Sequence, residues 1–294
     1  MAGRRLIEEL TSGGPVLTDG AWGTELQQRG LELGEMPDAW NLLHPDRVEA
    51  VARAYVEAGS RIILTNTFRA NRIAFAAHAE VERIAQINRA GVQISKRAAG
   101  DGALVFGSIG PSGKLLVTRE VSEAQLAEAF GEQASAQAEG GADALVVETM
   151  ADLGEARIAV EAASATGLPV VGCMVFDSGR QKDRSMLGVT PEQAASELTA
   201  CGVDVVGANC GIGVAEVVPI CSRLAAATDL PIWIKPNAGI PKLVKGEVVY
   251  ETTAEEFAGF LPKLVEAGAS FVGGCCGTDP RFIRALRQRL AEWD

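Results

Sequence analysis

The sequence predicts a single (β/α)8 barrel, a TIM barrel, spanning residues 1–294. Eight short apolar runs rich in β-branched residues recur along the chain, helical periodicity fills the intervals, and the returns from helix to strand are short. The runs are 15–18, 61–65, 103–107, 144–148, 169–176, 204–209, 231–235 and 270–274. Most are apolar throughout, as expected of parallel strands covered on both faces. Between and after them, 48–58, 81–99, 123–139, 152–165, 191–201, 215–227, 254–267 and 280–292 carry apolar residues at intervals of three and four. Thr190 and Thr253 have the form of N-caps, and Gly59, Gly140-Gly141 and Gly268 supply C-terminal glycines. A doubly wound open sheet is disfavoured, since it would be shorter and would carry a Gly-rich first turn. The segment 20–45 reads as irregular, either a rim over the barrel mouth or a surface excursion.

The composition excludes several classes of function. No run approaches the ~20 apolar residues of a membrane span, and the basic start Arg4-Arg5 is followed by acidic residues instead of a signal core. A formal net charge of -11 argues against nucleic acid, whose binding depends on cationic side chains. Six cysteines are too sparse for a disulfide scaffold and fit a reducing compartment, so the expected location is the cytoplasm. Of these, Cys173, Cys201 and Cys221 lie inside strand or helix patterns and read as small buried hydrophobes.

The other three cysteines end strands among glycines: Cys210 in Gly207-Ala-Asn-Cys-Gly, and Cys275 and Cys276 in Gly273-Gly-Cys-Cys-Gly-Thr. A barrel carries its chemistry at the C-terminal ends of its strands, so this placement reads as a three-thiolate zinc site on that face. Zinc held by three protein ligands keeps a fourth position for substrate. Adjacent residues of a regular strand face opposite ways, so the flanking glycines must turn the chain for both sulfurs to converge. A phosphate nest would also use glycines, but thiolates would repel the anion. Four-ligand structural zinc or an iron–sulfur centre needs another ligand, and Cys173 would qualify only if its strand ended early. His44 and His78 read as loop residues. A metal with three thiolates suits a thiol substrate, held deprotonated for attack on an electrophilic carbon. Asp19 and Glu148, at the ends of strands one and four, are candidates to hold a substrate ammonium group, or else to cap local backbone.

With these residues the chain resembles the homocysteine S-methyltransferase family over nearly its full length. The resemblance rests on Asp19-Gly-Ala-Trp-Gly-Thr, Thr65-Asn-Thr-Phe, Ile109-Gly-Pro-Ser-Gly, Glu148-Thr-Met, Gly207-Ala-Asn-Cys-Gly, Pro236-Asn-Ala-Gly and Gly273-Gly-Cys-Cys-Gly-Thr, in that order. It implies one Zn2+ on Cys210, Cys275 and Cys276, homocysteine as acceptor and methionine as product. Asp19 and Glu148 would then bind the amino group, and Gly20, Ala21, Asn66 and Thr67 the carboxylate, largely through backbone. Asn237 would approach the metal when substrate is absent. The motifs look closest to the homocysteine module of cobalamin-dependent methionine synthase, yet an Asp-x-His-x-x-Gly cobalamin motif is not found in the 294 residues. The methyl donor is therefore expected to be methylcobalamin on a separate corrinoid protein, or a small betaine or sulfonium compound. The alternative is a homocysteine-loading subunit without activity of its own. Trp22 stands where the family more usually has Met, and the stretch after strand five, Gly179-Arg-Gln-Lys-Asp-Arg-Ser, looks longer and more charged than usual. Phe257, Phe260 and Leu261 would serve an oligomer or pack on the barrel.

Overall fold

The computed structural model describes residues 2–32, 34–244 and 247–292. Eight parallel strands form one sheet: β1 (Val16–Leu17), β2 (Ile62–Leu64), β3 (Leu104–Ile109), β4 (Ala144–Met150), β5 (Val170–Met174), β6 (Val205–Gly213), β7 (Ile232–Asn237) and β8 (Ala269–Val272). Their order is β1-β8-β7-β6-β5-β4-β3-β2, so the sheet wraps round until β1 and β2 face each other. That seam is bridged at one end by Arg61 N–H donating to Leu17 O (2.8 Å) and at the other by Leu64 N–H donating to the Asp19 carboxylate (2.7 Å). The result is the predicted (β/α)8 architecture, nearly closed.

Alternation along each strand divides the apolar residues into two cores. Phe106, Val146, Trp233 and Phe271 point into the barrel, whereas their neighbours Val105, Leu145, Ile234 and Val272 face the helices. Inside, the Trp233 ring stacks on Phe106 with centroids 6.0 Å apart and lies 5.3 Å from Phe271. Truncating such a side chain to alanine costs ~3–5 kcal/mol, so this layer is a firm floor for whatever lies above it. The N-terminal helix Ala2–Thr11, which the periodicity did not predict, closes the opposite end by adding Ile7 to the inner cluster.

The outer helices are Pro45–Ala58, Ile84–Ala99, Glu123–Glu139, Leu153–Ser164, Pro191–Ala200, Val214–Ala227 and Pro280–Ala291, with a broken pair before β8. Thr190 and Thr253 form reciprocal capping boxes with Gln193 and Glu256, and Gly59, Gly141 and Gly268 turn with φ of 111°, 94° and 102°. The expected helix 254–267 is two pieces, Ala254–Ala258 and Leu261–Glu266, because Pro262 has no N–H to donate back to Ala258. Phe257 and Leu261 are fully buried there, packed on the barrel.

Two further departures lie on the rim. The segment 20–45 contains helices Gly23–Gln28 and Trp40–Leu43 joined by a 3-10 turn at Pro37–Ala39, and an antiparallel hairpin, Lys242–Val244 with Glu247–Val249, follows β7. Among the described residues no helix is long and apolar enough to cross a membrane.

Candidate metal centre

The same alternation that builds the apolar floor roofs it with polar groups. Ser108, Glu148 and Lys235 each lie two residues beyond an inward apolar residue, Phe106, Val146 and Trp233, and so also point inward. Ser108 Oγ donates to Glu148 Oε1 (2.5 Å) and Asn209 Nδ2 to Glu148 Oε2 (3.1 Å). Burial raises the Glu148 carboxyl above the ordinary range, with Lys235 and the Ser108 bond opposing. Lys235 Nζ bonds Asp19 Oδ1 in a buried ion pair. Burial pulls the lysine down, but Asp19 and then Glu148 outweigh it and keep the ammonium charged.

The thiols occupy turns beyond this layer. The β6–β7 pairing slips between Asn209 and Gly213, where Cys210 and Gly211 adopt successive left-handed conformations with φ of 62° and 76°. A left-handed non-glycine residue is strained, and here it swings the Cys210 sulfur out of the strand's alternation. Regular pairing of β8 ends at Val272, and the next five residues turn: Cys275 N–H donates to Pro236 O (2.8 Å), Ala238 N–H to Cys276 O (3.0 Å) and Thr278 Oγ1 to Cys275 O (2.7 Å). Gly277, at φ 82°, sits beneath the Tyr250 ring, and a Cβ there would come within 2.2 Å of Tyr250 Cγ. These turns bring the sulfurs of Cys210, Cys275 and Cys276 within 4.8 Å of one another, with Cys210 and Cys276 3.8 Å apart.

Left to themselves, the three thiols titrate apart. Cys276 is held down at about 3 by thiol hydrogen bonds from Cys210 and Cys275, with a further one from Tyr250. Cys275 is pushed up because its proton is shared with Cys210 and Cys276. For Cys210, the bond with Cys275 lowers it, but the bond with Cys276 and burial prevail and push it up to about 11. A thiophilic dication would relieve this competition by replacing the shared protons.

The residues fit such an ion. Zn–S bonds of ~2.3 Å in a tetrahedral arrangement separate the sulfurs by about 3.8 Å. The Cys210–Cys276 spacing already matches that distance, and thiolates select zinc over hard cations. Asn237, whose backbone pairs with β6 at Gly213, buries a side-chain oxygen with no partner. It stands at the end of β7, directly after the Pro236 carbonyl that anchors Cys275.

The other predicted residues are more firmly tied to the scaffold than expected. Asp19 is fully buried, its Oδ2 accepting from Leu64 N and Trp22 Nε1 (2.8 Å) and its Oδ1 from Lys235. Gly20 admits no side chain, since a Cβ would lie 2.7 Å from Tyr55 Oη and 2.8 Å from Thr278 Oγ1. Ala21 N–H donates to Thr278 Oγ1 (3.2 Å) and its carbonyl accepts from Tyr55 Oη (2.7 Å). The Asn66 amide donates to Pro37 O (2.7 Å) and Asn41 Oδ1 (3.0 Å), and Thr67 Oγ1 to Ser108 O (2.8 Å). Gln133 and Gln137 hold Thr67 from behind.

Sequence reasoning gave no role to Lys235, Ser108, Asn209 or Tyr250. Lys235 had a visible signal, a lone cation ending an apolar strand with its neighbour two back facing inward. Cys173 lies at the level of the apolar floor, with burial raising its thiol well above the ordinary value, and stays outside the sulfur cluster.

Residues 16–290 match the profile of the family described as homocysteine S-methyltransferase. The chain belongs to the homocysteine S-methyltransferase family. Membership makes it an enzyme of the methyltransferase class. It is 33% identical over 295 residues to the methionine synthase of Mycobacterium tuberculosis, covering 93% of this chain and 24% of that protein, and equally identical to the enzyme of Mycobacterium leprae. The chain thus spans about a quarter of the length of these relatives. Among solved structures it is similar to the homocysteine methyltransferase MmuM from Escherichia coli. The oxidized form has a TM-score of 0.79 and 25% identity, and the metallated form 0.76 and 26%; each comparison covers 94% of this chain and 96% of the other.

Proposed function

We propose that this enzyme transfers a methyl group to the thiol of homocysteine, giving methionine, at a zinc ion held by Cys210, Cys275 and Cys276. The observation that carries the reading is the convergence of three sulfurs within 4.8 Å, one pair of them at zinc spacing, over a buried layer that holds two carboxylates. When bound, zinc would supply a Lewis-acid seat on which an acceptor thiol loses its proton at neutral pH. The chain's own residues do the rest. Glu148, beside the Asp19–Lys235 ion pair, leaves the polar layer with a net negative charge suited to an α-ammonium group, and Ser108 and Asn209 fix the Glu148 oxygens. The backbone of 20–21 and 66–67, locked by Tyr55, Thr278 and Gln137, fits the α-carboxylate. Asn237 would face the metal when the acceptor is away. A new carbon–sulfur bond forms as the donor's bond to its methyl group breaks.

The donor is the open half of the reaction. The seven exposed large apolar residues among those described, Leu43, Val117, Met186, Leu187, Ile240, Val248 and Val249, all lie on connections that follow β1, β3, β5 or β7, the face that bears the thiols. Such a rim favours a macromolecular donor, a methyl-corrinoid protein, over a small betaine or sulfonium. On that reading the chain works as the homocysteine-loading partner of the donor protein, in reducing cytoplasm where its thiols stay free.

The test is a donor panel on zinc-loaded protein with homocysteine: betaine, dimethylsulfoniopropionate, S-methylmethionine, free methylcobalamin and a methyl-corrinoid protein. Methionine is expected with the corrinoid protein. Rapid turnover with a small sulfonium or betaine would reject the obligatory protein donor, and no methionine from any donor would reject the acceptor assignment.

A further inference from the structure

The resemblance suggests a pair of carboxylates, Asp19 and Glu148, clamping the acceptor's ammonium. This chain already places a cation of its own there. Lys235 leaves β7 two residues beyond Trp233, and its ammonium bonds Asp19 Oδ1 with both side chains almost entirely out of reach, 3% and 0% exposed. The other Asp19 oxygen accepts from Leu64 N and Trp22 Nε1, which fills its two lone-pair positions, and the position left on Oδ1 is sealed from solvent, the Asp19 side chain being 0% exposed. Glu148 differs. It retains 6% exposure, and each of its oxygens accepts a single side-chain hydrogen bond, from Ser108 and from Asn209. One lone-pair position therefore remains on each oxygen. The charges agree with the geometry: two carboxylates and one ammonium leave a single net negative charge, enough for one incoming monocation.

We propose that Lys235 is a specificity-determining residue: it removes Asp19 from acceptor recognition, so that Glu148 alone holds the acceptor's ammonium. The inference rests on the homocysteine reading above. Asp19 then serves the scaffold, pairing with Lys235 while it fastens β2 to β1. Selectivity for an aminated thiol hangs on the one carboxylate that solvent still reaches.

The experiment compares, by calorimetry on zinc-loaded protein, binding of L-homocysteine with that of 4-mercaptobutyrate, the same thiol acid without the amino group. No methyl donor is needed. One charge-assisted contact gives an expected preference for homocysteine on the order of tenfold to hundredfold. Glu148→Gln should reduce that preference to within about threefold of unity. Asp19→Asn leaves Lys235 unpaired beside the acceptor's ammonium and should also depress it. Adding Lys235→Met to Asp19→Asn should restore the wild-type preference, a rescue that a purely structural role for the pair would not produce. Replacing both members of a buried ion pair by neutral groups of similar size is commonly tolerated, so the double variant decides even where Asp19→Asn alone does not fold. A double variant as unselective as Glu148→Gln would overturn the proposal, because Asp19 would then be a direct contact. Wild-type protein that binds both thiols equally would overturn the proposal and leave the zinc–thiol reading standing. Wild-type protein that binds neither would overturn both.

Discussion

The two halves of the barrel mouth are built in opposite ways. On the β1–β4 side, polar groups come from strand ends, regular except where β4 slips past Val147 at a left-handed Thr149 (φ 59°), and are gripped by a dense buried network; Gln137 Nε2 alone reaches Thr67 Oγ1, Asn88 Oδ1 and Ser108 O. On the β6–β8 side, the sulfurs leave strained or glycine turns after regular pairing has stopped, with Cys210 at φ 62° and Gly277 at φ 82°. The first half is held by direct hydrogen bonds from buried side chains to its strand-end backbone, Gln133 and Gln137 above all. In the second the thiols compete for protons, and on the proposed reading a metal ion would complete it. The carboxylate half should therefore behave as scaffold, and the thiol half as a metal-dependent element.

The strongest way to break that contrast is to remove a sulfur. Cys276→Ala is expected to lower zinc from one per chain to near zero, by metal analysis after dialysis, and to abolish methyl transfer. The fold should survive, since only one of the three converging turns loses a side chain. Retained stoichiometric zinc in the variant would mean that the three-sulfur site is wrong. Next in size is Gly273→Ala, at the joint between the halves. An added Cβ would lie 2.0 Å from Thr18 Oγ1 and 2.5 Å from Asp19 O, and the backbone carbonyl cannot rotate away. A loss of about 2–4 kcal/mol is expected, read as a lower melting temperature and weaker zinc together.

Gln137→Ala sharpens the comparison from the other side. It removes the two amide protons that three buried acceptors share and should cost about 1–3 kcal/mol while leaving zinc content unchanged. Homocysteine binding should weaken because the 65–67 segment loosens. Zinc lost in parallel with stability would erase the distinction between the halves.

The same division explains what could be read from the sequence. Strand-borne groups follow from alternation, so the barrel, its polar roof and the inward direction of Lys235 are implicit in residues 231–237 and their counterparts. The cysteines were found by composition, as sulfurs set among glycines at strand ends, but their convergence depends on left-handed backbone at Cys210, and the sequence has no signal for that at a non-glycine residue. The ion pair of Lys235 with Asp19 joins residues 216 positions apart. It appears only when β1, β8 and β7 are set side by side. The inner plug Ile7 and the Gln133–Gln137 brace are likewise tertiary: a polar residue on a helix normally reads as solvent-facing, and here it faces strand-end carbonyls.

The smallest effect concerns how the carboxylate half holds its rim. Asp38, on the 3-10 turn at Pro37–Ala39, accepts from Arg69 N (2.9 Å), while Asn66 donates to the neighbouring Pro37 O. This contact lashes the 36–40 segment to the residues after β2. Burial raises the Asp38 carboxyl from 3.8 to about 6, with the backbone bond from Arg69 opposing. Because the folded pKa exceeds the unfolded one, the folded state holds the proton more tightly. The associated stability is complete below pH 3.8 and is lost as pH rises through about 6. Asp38→Asn keeps an acceptor for Arg69 N–H and never ionises. Its melting temperature should therefore match wild type near pH 4 and exceed it at pH 7, the gain corresponding to at most about 3 kcal/mol at 1.36 kcal/mol per pKa unit. A stability difference that does not change between pH 4 and pH 7 would show that Asp38 is not the group being penalised, and the rim of the scaffold half would then carry no buried charge of its own.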